Sequence, residues 1–403
     1  MPMELLVITV ETPWGRAEGF ILEEMFEIKR QGAKLLIIPR DPPKEVFHKK
    51  AETLLKNAIW LPLIDLKMLM FLFKSLLTNI SGWKILWTIL FNSRSIRILI
   101  KNMVVLPKGF FIAEIVRKKK VDHIHAHWGT TTATMAYIVS KLTNIPWSFT
   151  LHRWDIKEDN ILEEKIRSAK FVRCISECGK RELLEIIGHR YSEKVVVVHI
   201  GVKIPIEKSR GTERKRNDSK FTIVTPANLL EVKGHRYLID ACPLLLKKGI
   251  KYFQCMFYGE GPLRTDLEKL VKKKLLADHV FIPGVLLPHE ELIHKYENGE
   301  IDIVVLPSII TSKGEHEGIP VSVIEAMAHK IPVISTNTGG IPELLNDGAG
   351  LMVNEKSPSE LAEAILKIIS DRDVWIKVGE NGYAKIKKEY DVRVTIKKLF
   401  QLI

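Results

Sequence analysis

Two carboxylates flank a helix start in the segment 301–345, IDIVVLPSIITSKGEHEGIPVSVIEAMAHKIPVISTNTGGIPELL. Glu317 stands just ahead of the run Pro320-Val-Ser-Val-Ile-Glu-Ala-Met-Ala-His, and Glu325 falls about a turn and a half inside it. A helix N-terminus presents unpaired N–H groups and the positive end of the macrodipole. The backbone over Gly318, Ile319, Pro320 and Val321 therefore suits an anion such as a diphosphate. Each carboxylate can accept two or more hydrogen bonds from the hydroxyls of a sugar or a ribose. The plainer alternative is a surface-loop glutamate and a solvated helix glutamate.

The elements that would position these groups can be read from the same stretch. An apolar run ending at Pro307 has the composition of a buried parallel strand, and a polar, glycine-containing loop follows it. Pro320 fits the first turn of the next helix, where its missing N–H costs nothing. A second strand, 331–335, leads to Gly339-Gly340 and another helix start.

The run Glu317-Gly-Ile-Pro-Val-Ser-Val-Ile-Glu325, followed by Ala-Met-Ala, resembles the E-x7-E signature of retaining glycosyltransferases of family 4. Pro307-Ser308 and Gly339-Gly340-Ile-Pro-Glu343 match the same pattern. The resemblance implies a GT-B fold: two Rossmann-like domains with parallel sheets facing a central cleft, and a C-terminal helix returning to the N-terminal domain. It implies a nucleoside-diphosphate sugar as co-substrate, no metal or other cofactor, and retention of anomeric configuration. In its terms Glu317 holds donor sugar hydroxyls and Glu325 the ribose.

Taken in order, the chain opens as a βαβ unit: strand 4–10, helix 20–31 ended by Gly32, and a strand from Lys34. The loop between carries Gly15 and Gly19 but no G-x-G-x-x-G, which counts against a dinucleotide fingerprint. AEGFILEE resembles the family's acceptor-side loop, with Glu18 at the matching carboxylate and Gly19 where threonine is usual. Residues 50–117 interleave Leu, Ile, Phe, Trp and Met with Lys and Arg. They read as two or three helices laying their apolar faces on the sheet. The other reading is an in-plane membrane surface, with Trp83 and Trp87 buried in lipid and Lys84, Arg94, Arg97 and Lys101 toward anionic headgroups.

The strand KKKVDHIHAHWG puts His123, His125 and His127 on one face by its period of two. A metal reading of H-x-H lacks further ligands at a suitable spacing, so these are expected as strand histidines, with a polar role for His127. HIHAHW also matches the family's HIHAHF-type run. IPWSFTLHRWDI looks like the family's F-T-x-H-x-x-D-I, which carries to His152 a place beside the reacting sugar. Asp155 would orient that segment, and Trp154 stands where relatives often have a second histidine.

Residues 205–220 are charge-dense and form the expected linker between an acceptor-side domain, 1–204, and a donor-nucleotide domain, 221–375. Helices over 376–403 are expected to pack back on the first domain. In the second domain, FTIVTPANLLEVKGH resembles the phosphate-holding segment of the family. Lys233 stands at its lysine, and Asn228 replaces the usual arginine. An amide cannot supply a guanidinium's charge or its bidentate fork, which puts the donor's identity in question more than the fold. Gly259-Glu-Gly261-Pro262 matches the family's G-x-G-P loop, and Gly284 and Val285 would offer backbone groups beside the base. Asp371-Arg-Asp373 spells D-x-D but reads as a helix start, because no strand precedes it.

Length suits two domains: 403 residues, 46% hydrophobic and 27% charged, are ordinary for a globular chain. A net charge of +13 favours an acidic partner. The nucleotide sugar and an anionic membrane surface both qualify; the basic cluster of the linker reads as solvated rather than as a nucleic-acid site. Four scattered cysteines make neither a disulfide framework nor a zinc site, so a reducing, cytoplasmic setting is expected, with a peripheral place on the membrane's inner face as the extension. The start MPMELLVITVETP lacks the basic n-region of a secretory signal.

The function expected is sugar transfer from a nucleoside-diphosphate sugar to a glycan, lipid-linked or small-molecule acceptor in surface polysaccharide or glycolipid synthesis. The alternatives are a GT-B epimerase or phosphorylase, and a non-catalytic basic protein that binds membranes or polyanions.

Overall fold

The computed structural model describes residues 2–11, 19–42, 49–205, 220–285 and 287–403. Two compact units divide the chain: Met1–His199 together with Thr395–Ile403, and Ile200–Val394. Glu18 and residues 206–219 of the expected linker lie outside the described residues.

In the first unit the order is β1 (Glu4–Thr9), α1 (Gly19–Arg30), β2 (Lys34–Pro39), α2 (Glu52–Leu55), α3 (Leu66–Thr78), α4 (Ile80–Asn92) and α5 (Ile96–Arg117). Then come β3 (His123–His127), α6 (Thr131–Thr143), β4 (Trp147–Leu151), α7 (Arg153–Glu158), α8 (Leu162–Ser168), β5 (Phe171–Cys174), α9 (Glu177–Ile187) and β6 (Val195–Val197). The sheet is parallel, in the order β2-β1-β3-β4-β5-β6. Leu5 is in register with Leu35 on one side and His123 on the other. Strand β4 is buried along its whole length, as a parallel sheet covered on both faces requires. Residues 50–117 form the three long helices α3 to α5 as well as α2. Asp65, Asn79 and Ser95 start the long ones, each side chain accepting an N–H of the first turn.

The second unit runs β7 (Phe221–Thr225), α10 (His235–Lys247), β8 (Phe253–Phe257), α11 (Arg264–Lys273), β9 (Val280–Phe281), α12 (His289–Glu297) and β10 (Ile303–Leu306). It continues through α13 (Val321–Ala328), β11 (Val333–Thr336), α14 (Ile341–Leu345), β12 (Leu351–Val353), α15 (Pro358–Ser370) and α16 (Arg372–Glu389). Its sheet is parallel too, in the order β12-β11-β10-β7-β8-β9. Strand order reverses at the β7–β10 pair, and in open α/β sheets ligands bind beyond the carboxyl ends of the strands at such a switch point.

Three boundaries differ from the sequence reading. Pro320 is the extended residue before α13 rather than part of its first turn, and no side chain caps that helix. Of the expected 376–403 return, only Thr395–Ile403, in the last helix α17 (Val392–Leu402), groups with the first unit. The Lys170 ammonium reaches the carbonyl of Ile403 there. Helix α16 stays with the second unit because Trp375, Val378 and Tyr383 bury on it and Gly379 leaves no room for a side chain against the Lys330 carbonyl. Finally, the first boundary falls between His199 and Ile200 rather than after residue 204. Val202 pairs with residues 390–392 of the second unit, exchanging hydrogen bonds with Tyr390 and Val392. Asp371 caps α16 by accepting from Asp373 and Val374, so the D-x-D letters are a helix start.

Candidate active site

At the switch point of the second sheet, the loop after β7 and the loop after β10 interlock. Gly234, with φ of +66°, sits so close to the Pro307 carbonyl that a methyl group there would lie 1.9 Å from its oxygen. This contact brings Lys233 to Glu317: Lys233 Nζ lies 2.6 Å from Glu317 Oε1, with the two side chains 20% and 11% exposed. The Glu317 loop is in turn strapped to Gly339-Gly340. Gly340 donates its N–H to the carbonyls of Glu317 and Gly318 at 3.3 and 3.2 Å. A side chain at Gly339 would meet the Glu317 carbonyl at 2.0 Å.

Gly318 to Val321 lead straight into the uncapped start of α13, and Glu325 projects from that helix. One of its oxygens, Oε1, is 2.8 Å from His289 Nε2 at the start of α12. His289 is a partner the sequence reading missed; only its place beside a helix start hinted at it.

The 227–230 and 259–261 loops are laced together beside this pair. Leu229 donates to the Glu260 carbonyl at 2.8 Å. A side chain at Gly259 would strike the Ala227 carbonyl oxygen at 2.0 Å, and one at Gly261 the Leu229 oxygen at 2.6 Å. Asn228 is exposed between them, with Val285 exposed on its own loop. Gly284, at φ of +70°, lies under the Arg264 guanidinium, a cation that motif reading passed over.

The first unit gathers a second constellation at the carboxyl ends of β3 and β4, joined by Glu24 of α1 and Arg173 of β5. His127 Nε2 lies 3.9 Å from Glu24 Oε2, and both side chains are 1% exposed. Arg173 donates two hydrogen bonds to Glu24, at 2.9 and 2.6 Å, and others to the carbonyls of Val198 and His199. Burial pulls the His127 imidazole down to about 4, with Glu24 opposing and Arg173 reinforcing the shift. It is therefore neutral at ordinary pH. Neither Glu24 nor Arg173 could be singled out from sequence, since each looks like an ordinary charge on its own element.

His152 follows β4 directly, 7% exposed, its ring stacked on Trp128 at 4.1 Å between centroids. Its Nε2 is buried without a hydrogen-bond partner among the described residues. Burial, then the neighbouring His127 and Arg173, hold this ring neutral too. Asp155 Oδ2 accepts the His152 N–H at 2.8 Å. Lys165 Nζ supports the same turn by donating to the carbonyls of Gly129 and Thr130, both at 2.8 Å.

The other two strand histidines are structural. His123 Nε2 and His125 Nδ1 each share a hydrogen bond of 2.8 Å with Ser148 Oγ, and His125 Nε2 one of 2.9 Å with Thr150 Oγ1. Among the described residues no group of three or more His, Cys, Asp or Glu is arranged to hold a metal ion.

Two six-stranded parallel sheets wrapped by helices, the second with its loops gathered at a switch point, are the GT-B type of α/β protein. Residues 207–385, the second unit but for its first few residues and its end, match the family described as "Glycosyl transferases group 1". It is 32% identical over 213 residues to the putative colanic acid biosynthesis glycosyltransferase WcaL of Escherichia coli, covering 52% of this chain and 51% of that one. Over 265 residues it is 30% identical to the amylovoran biosynthesis glycosyltransferase AmsK of Erwinia amylovora, 62% of each chain. The chain thus spans between half and two thirds of the length of these relatives. A glycosyltransferase from Rickettsia africae shares the fold, with a TM-score of 0.71, 20% identity, and coverage of 100% of this chain and 97% of that one. So does Anabaena HepE, solved in complex with UDP, at a TM-score of 0.71 and 17% identity over 99% and 98% of the two chains.

Proposed function

We propose that the protein is a metal-independent retaining glycosyltransferase that moves a hexose from a nucleoside-diphosphate sugar to a sugar or lipid-linked acceptor. The observation that carries this reading is the Lys233–Glu317 pair, set at a strand-order switch point beside the uncapped start of α13. A diphosphate there would take charge stabilisation from Lys233 and the amides over 318–323. It would also free the Glu317 carboxylate for donor sugar hydroxyls. Glu325 would hold the ribose diol, one oxygen already anchored by His289. Asn228 adds no charge, so Lys233 and the start of α13 would meet the diphosphate's charge in place of the usual arginine.

In the reaction an acceptor hydroxyl oxygen bonds to the anomeric carbon while the bond from that carbon to the β-phosphate oxygen breaks. The departing phosphate takes the acceptor's proton, so the protein need supply no strong acid. The unsatisfied Nε2 of His152 suits a sugar hydroxyl, and the neutral His127 ring suits a polar acceptor-side role. Relatives named for colanic acid and amylovoran synthesis favour a polysaccharide or glycolipid product. Four free cysteines suit a cytoplasmic setting.

The test is nucleoside-diphosphate release across a panel of sugar nucleotides, with and without acceptor sugars. Acceptor-dependent release by the native chain, lost in Glu317→Gln, is the expected result. Turnover of equal rate without any acceptor would favour epimerase or hydrolytic chemistry. A chain whose thermal stability no nucleoside diphosphate raises would contradict the donor site itself.

A further inference from the structure

Helices α3, α4 and α5 are apolar on both faces. Their inner residues, among them Met68, Leu72, Ile85, Ile89 and Ile98, join the core of the first unit. Their outer stripes do not. Leu66, Met70, Phe73 and Leu77 repeat at helical spacing along α3 and stay exposed, Leu77 at 87%. Ile80, Trp83, Trp87 and Phe91 do the same on α4, with Ile80 at 77% and Phe91 at 75%.

The stripes form one surface. Trp83 Nε1 donates to the Leu76 carbonyl across the α3–α4 corner, and Trp87 stacks on Phe91 at 5.0 Å. Charge on it has one sign. Between Leu66 and Ala113 the sequence has no aspartate or glutamate, and Lys67, Lys74, Lys84 and Arg97 stand exposed among the apolar residues. Two further cations reach outside the stretch to carboxylates, Arg94 to Asp159 and Lys101 to Glu158. Lys108 turns inward to the carbonyls of Arg40 and Leu61.

We infer that this face lies on an anionic bilayer, with the helices in the membrane plane, Trp83, Trp87 and Phe91 in the headgroup–acyl boundary, and the four cations against lipid phosphates. Aromatic and aliphatic stripes interspersed with Lys and Arg are what such an interface takes. A second copy of the chain fits worse, because an isologous contact would set this wholly basic patch against itself. No helix among the described residues is long and apolar enough to cross a membrane, so contact would be with one leaflet. The inference stands on these helices alone, apart from the sugar-transfer reading.

The experiment is co-sedimentation of the full chain with phosphatidylcholine vesicles, with and without phosphatidylglycerol. Binding is expected only with the anionic lipid. Replacing Lys74, Lys84 and Arg97 by glutamine should weaken it by roughly a hundredfold, about fivefold for each cation. Trp87→Ser with Phe91→Ser should also abolish binding, with the melting temperature and nucleotide-induced stabilisation retained as the check on folding. Equal binding to both vesicle types, or binding untouched by either variant, overturns the inference. So does a native dimer in sedimentation velocity that the Trp87/Phe91 variant converts to monomer, since a second copy would then be the occupant.

Discussion

Lys233 and Glu317 meet at 2.6 Å although each is carried by a different strand-to-helix loop. The pair joins the cation that would hold a diphosphate to the carboxylate that would hold the transferred sugar. Each loss should therefore fall on a different kinetic constant. Lys233→Ala is expected to raise the Kd for nucleoside diphosphate by about tenfold, the size of one charged hydrogen bond. Glu317→Gln is expected to lower kcat by roughly a hundredfold with little change in that Kd. Calorimetric titration alongside steady-state rates reads the split.

Glu325 and His289 allow a finer test of the same site. If the carboxylate takes the ribose diol, Glu325→Ala weakens nucleotide binding by about tenfold and leaves the acceptor KM alone. His289 only fixes one of its oxygens, so His289→Ala should cost about threefold, roughly 0.6 kcal/mol. A deoxyribose nucleotide should bind Glu325→Ala and the native chain alike.

Asp155 is a positioning residue. It receives the His152 N–H, and with Lys165 it holds the turn from Gly129 to His152. Burial raises its carboxyl to about 7, against backbone hydrogen bonds from His152 and Gly129 that pull the other way. Asp155→Ala leaves those buried donors unmatched and should destabilise the unit by about 2–4 kcal/mol in urea denaturation. Asp155→Asn, which keeps an acceptor in place, should recover most of the stability and most of the kcat.

Stability should fall on the acid side. Burial holds His123 down at about 3, with Lys170 adding to the shift, and His127 down at about 4. An unfolded chain would protonate both near 6.5. A depressed folded pKa gives stability that is complete above the unfolded value and is lost as pH falls through the folded one. Each ring therefore removes up to about 1.4 kcal/mol per pH unit between roughly 6.5 and 4. Melting temperature measured across that window should drop steeply, and His123→Gln should flatten the slope.

Much of the second unit was legible because its motifs are local in sequence. G-x-G-P and the glycine pair before Ile341 fell on the loops where they were expected, and E-x7-E runs from the loop before α13 into that helix. Partners brought in by the fold were not legible. His289 reaches Glu325 from another helix, and Glu24 meets Arg173 across 149 residues, so no spacing rule could pair them. Helices α3 to α5 defeated periodicity for a different reason. With apolar residues on inner and outer faces alike, the pattern offered two readings; the inner residues are buried as the first expected, and the outer stripes are exposed. Pro320 was misplaced by one residue because a proline that starts a helix and one that precedes it leave the same mark in sequence.

The seam at Gly234 and the Pro307 carbonyl bears on how such a chain can diverge. A library randomised over both loops should return glycine alone at 234, yet a wide spectrum at the exposed position 228. New donor preferences are thus free to arise at the rim, while the joint beneath is inherited unchanged.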